Sequence, residues 1–199
     1  IQILNLVLVW CLVTDLHAVA EENLLIAEGA RIETLAEGFN FAEGPACAPN
    51  GDLYFVDFRA NKIHRWSVDK QVLSTVTDNS FGVNGMQFDT KGRLLGCQGS
   101  KRRVVAMNAD SGEVLEALAD DFGGKRFNNP NDLWIDPKGG VYFTDPAYSR
   151  KKSELELDGR HVYYITPGDK RVVQVTNDFN TPNGIVGTPD GKLLYITDR

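Results

Sequence analysis

The sequence predicts an all-β protein built from propeller blades. Three observations carry this prediction. A strand–turn–strand unit recurs four times with one fixed internal spacing. Two further short strand patterns follow each of the first three units, which gives about four strands in each period. The chain also carries 19 glycines among 199 residues and few long helix-forming runs. Four strands in roughly 40–50 residues is the arithmetic of a β-propeller blade. A β-sandwich does not repeat its sequence in this way, and a solenoid needs a shorter period or helical patterning.

From the N-terminus, Ile3 to Val13 (ILNLVLVWCLV) is an apolar run too short to span a bilayer comfortably. Ala18-Val19-Ala20 follows, with small residues at the −3 and −1 positions before Glu21, as a signal-peptidase site requires. Residues 1–20 are therefore read as a signal peptide, with a membrane anchor as the first rival reading and a buried core strand as the second. The basic segment that normally leads such a run is missing and the chain opens on Ile1, so the N-terminus is read as incomplete. The expectation is an exported protein, secreted or periplasmic, that leaves the membrane once the signal is removed. Residues 21–37 read as a linker or a lead-in strand that closes a ring.

The repeats begin at Glu43 (EGPACAPNGDLYFVD), Asn84 (NGMQFDTKGRLLGCQ), Asn131 (NDLWIDPKGGVYFTD) and Asn183 (NGIVGTPDGKLLYITD). These heads are 41, 47 and 52 residues apart. In all four a glycine lies eight residues after the head, at Gly51, Gly92, Gly139 and Gly191. Each follows Asn50, Lys91, Lys138 or Asp190, and the pair suits a tight hairpin in which one residue takes a positive φ. Third-strand patterns follow at 62–68, 103–108 and 161–166, and fourth-strand patterns at 72–77, 114–119 and 172–176. The chain ends at Arg199, one hairpin into the fourth unit, and is read as about three and a half blades of a larger propeller.

The innermost strand of each blade runs along the central channel, so residues heading those strands converge on the axis. Glu43, Asn84, Asn131 and Asn183 would bring one carboxylate and three amide oxygens there. Such a set suits a hard divalent cation, Ca²⁺ or Mg²⁺, with Mn²⁺ next. Zn²⁺ fits less well because no head is His or Cys. A single Asn at a strand start often caps a turn through its own side chain. Four equivalent oxygen-bearing positions weigh against that simpler explanation.

Other residues read as structural. Asp57, Asp145 and Asp198 end the second strands and are expected to cap the turns that follow. His64 and His161 are isolated on outer strands, and His17 lies in the signal segment. Lys101-Arg102-Arg103 and Arg150-Lys151-Lys152 read as solvated loop charges, and the polar insertion Arg150 to Arg160 as a candidate lid. Cys47 and Cys97 lack metal-ligand spacing and are expected to be small buried hydrophobes, with a disulfide as the alternative. With a net charge of −6, nothing suggests a nucleic-acid partner. No nucleophile-elbow serine and no phosphate-cradling glycine loop is present.

The stretches EGPACAPNGDLYFVD, NPNDLWIDPKGGVYFTDP and TPNGIVGTPDGKLLYITD resemble the senescence marker protein / gluconolactonase / luciferin-regenerating enzyme family. The likeness covers about residues 38–199. It implies a six-bladed propeller that holds a divalent metal, calcium foremost, and opens sugar-acid lactones. It also implies that Glu43, Asn131 and Asn183 are metal ligands. Asn84 is left to substrate, or to the metal through water. The position of Cys47 usually holds Trp in that family. The family's acid/base Asp belongs to a later blade, beyond Arg199, so this chain alone is expected to bind metal weakly and to be inactive. An organophosphate hydrolase on the same propeller and a non-catalytic metal-containing binding propeller are the rival functions.

Overall fold

A computed structural model of the chain describes residues 27, 29–148 and 151–199. The chain divides into two units, Ile1–Leu35 and Ala36–Arg199. The signal segment expected at 1–20 lies outside the described residues. The lead-in strand expected within 21–37 is not formed over the described part, 27 and 29–37. No helix among the described residues is long and apolar enough to cross a membrane.

The second unit is a run of antiparallel meanders, a propeller arc. The first blade is β1 (Ala42–Cys47), β2 (Leu53–Asp57), β3 (Lys62–Ser67) and β4 (Val72–Thr77). The second is β5 (Val83–Phe88), β6 (Leu94–Gln98), β7 (Arg103–Met107) and β8 (Val114–Ala119). A two-stranded ribbon, β9 (Asp121–Phe122) and β10 (Lys125–Arg126), precedes the third blade. That blade holds β11 (Leu133–Ile135), β12 (Val141–Asp145), β13 (His161–Ile165) and β14 (Val172–Thr176). The hairpin of β15 (Pro182–Gly187) and β16 (Leu194–Asp198) begins the fourth. Strands pair in chain order within every blade. The strand patterns read from the sequence match these ranges to within one or two residues, except at the start of β11.

The repeated glycine is explained by the turn it closes. In the first blade Ala48 N donates to Asp52 O at 2.8 Å and Gly51 N to Ala48 O at 2.9 Å. The second and third blades repeat the pattern from Asp89 and Asp136. This is a type I turn closed by a residue of positive φ, and Gly51, Gly92, Gly139 and Gly191 have φ of 87°, 76°, 83° and 68°. The fourth turn is one residue longer, with Thr188 N bonded to Leu193 O.

Two apolar clusters lie between the blades. Strand alternation decides which side chains enter each. Within β7, Val105 and Met107 join Val56, Ile63, Val83 and Leu94 between the first and second blades. Val104 and Ala106 face the other way and join Cys97, Phe127, Phe143 and Tyr163 between the second and third. Each fully buried valine here contributes on the order of 1.5–3 kcal/mol relative to exposure.

The same alternation corrects the expectation for Cys47. Ala46 and Ala48 turn into the core at 5% and 8% exposure, so Cys47 points the other way and is exposed. Of the two cysteines among the described residues Cys97 is buried, and neither is in a disulfide. Arg102 is likewise not a solvated charge. It is buried at φ +61°, and its guanidinium donates to the carbonyls of Phe127 and Arg126 and pairs with Glu156. Glu156 also accepts Arg126 N at 2.9 Å, and Leu157 is buried in the second cluster. The described part of the insertion, 151–160, is thereby fastened to the third blade's apolar cluster and approach loop.

Candidate functional site

The four heads are delivered to one place by the hairpins that carry them. Glu43, Asn84 and Asn183 are each the second residue of their strand. Asn131 stands two residues before the assigned start of β11, but the ladder continues through it. Asn131 N donates to Thr144 O at 2.9 Å and Thr144 N to Asp132 O at 3.0 Å. All four heads line a cavity of about 630 Å³. They also line an adjoining cavity of about 620 Å³ on the side of the approach loops, together with Phe41, Phe58, Arg59, Asn129 and Tyr148.

The glycines after the first two heads let neighbouring inner strands close up. A Cβ on Gly44 would meet Asn84 O at 1.9 Å, and one on Gly85 would meet Asp132 Oδ1 at 2.1 Å. Only glycine fits at those two contacts. Gly85 N also donates to Asn131 O across the blade boundary at 2.7 Å. In the third blade the post-head residue is Asp132. Its Oδ1 accepts Leu133 N and its Oδ2 accepts Ile185 N in the next blade, both at 2.9 Å. Burial pushes the Asp132 carboxyl above its ordinary value, the two backbone donors pull the other way, and the charge of Glu43 adds to the rise.

The approach loops are held by the aspartates that end the second strands. Asp57 accepts Asn40 N at 2.9 Å and Phe41 N at 3.0 Å. Asp145 accepts Asn128 N at 2.7 Å and Asn129 N at 2.5 Å. Asp198 accepts Asn180 N at 3.0 Å and Thr181 N at 2.6 Å. Each pair of donors sits three and two residues before a head. Asp57 also receives Ala60 N, the forward cap expected of it, and the Arg199 N–H adds to the bonds on Asp198, so the backward reach to the approach loop comes in addition to the expected role. Ala42 pairs with Asp57 and Pro182 with Asp198, so the end of the second strand lies beside the start of the first and the residues just before the head come within its reach. The second blade ends β6 with Gln98, which donates to Ser80 O, and Asn61 of the first blade supplies the acceptor for Gly82 N.

Two features of the heads bear on whether they could hold a cation. Asn131 is 7% exposed, and its Oδ1 has no hydrogen-bond partner among the described residues. Such a buried, unpaired carbonyl costs about 1–3 kcal/mol, which a bound cation would offset. Asn183 donates Nδ2 to the Tyr148 hydroxyl at 2.7 Å, which leaves Oδ1 on the other branch of the amide. Glu43 supplies the negative charge. Among the described residues no cluster of three His, Cys, Asp or Glu side chains could hold a metal. The donors on offer are one carboxylate and amide oxygens, the chemistry of a hard cation. His64 and His161 lie on third strands and line neither cavity. Thr144, Tyr148 and Asp132 were not singled out from the sequence. Their roles come from contacts between blades, which no repeat spacing encodes.

Residues 41–199 match the family model described as the SMP-30/gluconolactonase/LRE-like region. The gluconolactonase of Zymomonas mobilis is 29% identical over 184 residues, covering 84% of this chain and 51% of that protein. The lactonase drp35 of Staphylococcus aureus is 26% identical over 166 residues, covering 81% of this chain and 47% of that protein. The structure of a gluconolactonase from Xanthomonas campestris superposes with a TM-score of 0.75 at 29% identity, over 83% of this chain and 57% of that one. The chain thus spans about half the length of the curated relatives it matches.

Proposed function

The chain belongs to the SMP-30/gluconolactonase/LRE-like family, and on that premise we propose that the protein carrying it hydrolyses sugar-acid lactones with the help of a divalent cation. The observation that carries the reading is the buried, unpaired Asn131 Oδ1, in a cavity shared with Glu43 and Asn183. Glu43, Asn131 and Asn183 would hold the ion, and an all-oxygen set suits a hard cation, Ca²⁺ foremost with Mg²⁺ or Mn²⁺ next, better than Zn²⁺. When bound, such an ion supplies polarisation of the lactone carbonyl and stabilisation of the oxyanion.

The chain's own residues do the rest of what this half of the site can do. Tyr148 fixes the Asn183 amide. Phe41, Phe58 and Arg59 wall the adjoining cavity, and Asn84 offers an amide to substrate hydroxyls at its floor. Asp132 is unsuited to be the base, because both of its oxygens already accept backbone N–H groups. The carboxylate that takes a proton from water is proposed to come from the protein outside this chain, as the family resemblance implies. The apolar run at 3–13 and Ala18-Val19-Ala20 support an exported protein.

The test is hydrolysis of an aldonolactone by the full-length protein, with a phosphotriester as the rival substrate. Asn131→Ala and Glu43→Gln should each lower lactone turnover by more than about tenfold, since loss of a ligand costs more than loss of its supporting contacts. A smaller loss would remove the ligand assignment, and faster phosphotriester turnover would favour the organophosphate reading.

A further inference from the structure

We propose that Thr144 is a positioning residue that fixes the two amide ligands, Asn131 and Asn183, relative to one another. The inference rests on the reading above that these two residues hold the cation.

Thr144 is fully buried and bonded to both heads. Its carbonyl accepts Asn131 N at 2.9 Å. Its hydroxyl accepts Asp132 N at 3.2 Å and donates to Asn183 O at 2.7 Å. One boundary earlier, the equivalent N–H needs no intermediary, because Gly85 N donates straight to Asn131 O. Between the third and fourth blades a hydroxyl stands in that line, so the post-head N–H reaches the next head's carbonyl through Thr144. The inserted group lengthens the link and makes it depend on one side chain.

The equivalent positions show where the hydroxyl occurs. The residue before the last of the second strand is Val56 in the first blade and Cys97 in the second, neither of which offers a hydroxyl. Thr197 of the fourth unit accepts Gly184 N at 2.9 Å, the same contact that Thr144 makes with Asp132 N. The Asn183 segment is also held on its far side, where Ile185 N donates to Asp132 Oδ2. Asn183 therefore sits between two fixed points, both supplied by the third blade.

The test is Ca²⁺ binding to the full-length protein by calorimetry, with melting temperatures of the metal-free forms. Thr144→Val keeps the shape and removes the hydroxyl, Thr144→Ala removes the packing as well, and Thr144→Ser restores the hydroxyl. Val and Ala should weaken Ca²⁺ by about tenfold or more, the usual effect of losing a residue that orients a ligand, and Ser should bind within about threefold of the parent. A purely structural role would lower the melting temperatures of Val and Ala while leaving affinity unchanged, and that result overturns the proposal. If the Val variant does not fold, the Ala and Ser pair decides. A parent protein that gives no Ca²⁺ heat overturns the cation reading and this inference with it. That failure is distinct from a parent that binds and a Val variant that binds equally well.

Discussion

The Asp145 carboxylate accepts the backbone N–H of Asn129 at 2.5 Å, and its other oxygen accepts that of Asn128. With those bonds the end of one strand sets the loop that delivers Asn131. Asp145 is fully buried, and hydrogen bonds to a charged group contribute about 1.5–3 kcal/mol each. Asp145→Ala should lower unfolding free energy by about 3 kcal/mol in urea titrations. Asp198→Ala, at an exposed hairpin, should lose less. Equal losses at the two sites would deny that burial sets the strength of the clamp.

The acid limb of stability should follow the same clamps. The Asn40 N–H, with those of Phe41 and Ala60, holds the Asp57 carboxyl below its ordinary value of about 3.9, and the Val68 N–H with Arg65 does so for Asp52. A folded-state value below the unfolded one gives stability that is present above the unfolded value and lost as pH falls through the folded one. Asp132 has the opposite sign: its raised value favours the folded state as pH falls through it. Melting temperature should therefore hold between about pH 7 and pH 5 and fall below about pH 4, and Asp57→Asn should flatten that fall. A steep fall unchanged in the variant would contradict the assignment.

Gly85 and Gly92 should behave differently when changed to alanine. At Gly92 there is open space, and the cost is the positive φ alone, about 1–2 kcal/mol. At Gly85 the new Cβ would meet the Asp132 carboxylate and Cα, which cannot both move without opening the blade boundary. Gly85→Ala should cost about 3 kcal/mol or more and should also weaken cation binding. Gly92→Ala should leave binding unchanged. Calorimetry and denaturation on the two variants separate the effects.

The fold was legible because each blade repeats a local instruction. The glycine eight residues after each head specifies a turn of positive φ, and that turn fixes the register of the hairpin. The heads were legible for the same reason, since Glu43, Asn84, Asn131 and Asn183 occupy one position in four copies. The contacts that tune the site were not. Asp145 reaches backward to Asn128 and Asn129, Arg102 reaches into the next blade's approach loop, and the Thr144 hydroxyl reaches Asn183. These are distances across a boundary, set by how blades pack. Cys47 shows the same limit. Its residue type favours burial, but the strand's alternation turns it outward.

The central claim is that Glu43, Asn131 and Asn183 hold a cation needed for lactone hydrolysis. The most direct measurement is ring opening of glucono-1,5-lactone by the full-length protein after chelation and again after adding Ca²⁺. Activity should disappear on chelation and return with Ca²⁺, and Asn131→Ala should need at least about tenfold more Ca²⁺ for half recovery. Full activity in the chelated protein, or an unchanged Ca²⁺ requirement in Asn131→Ala, would contradict it.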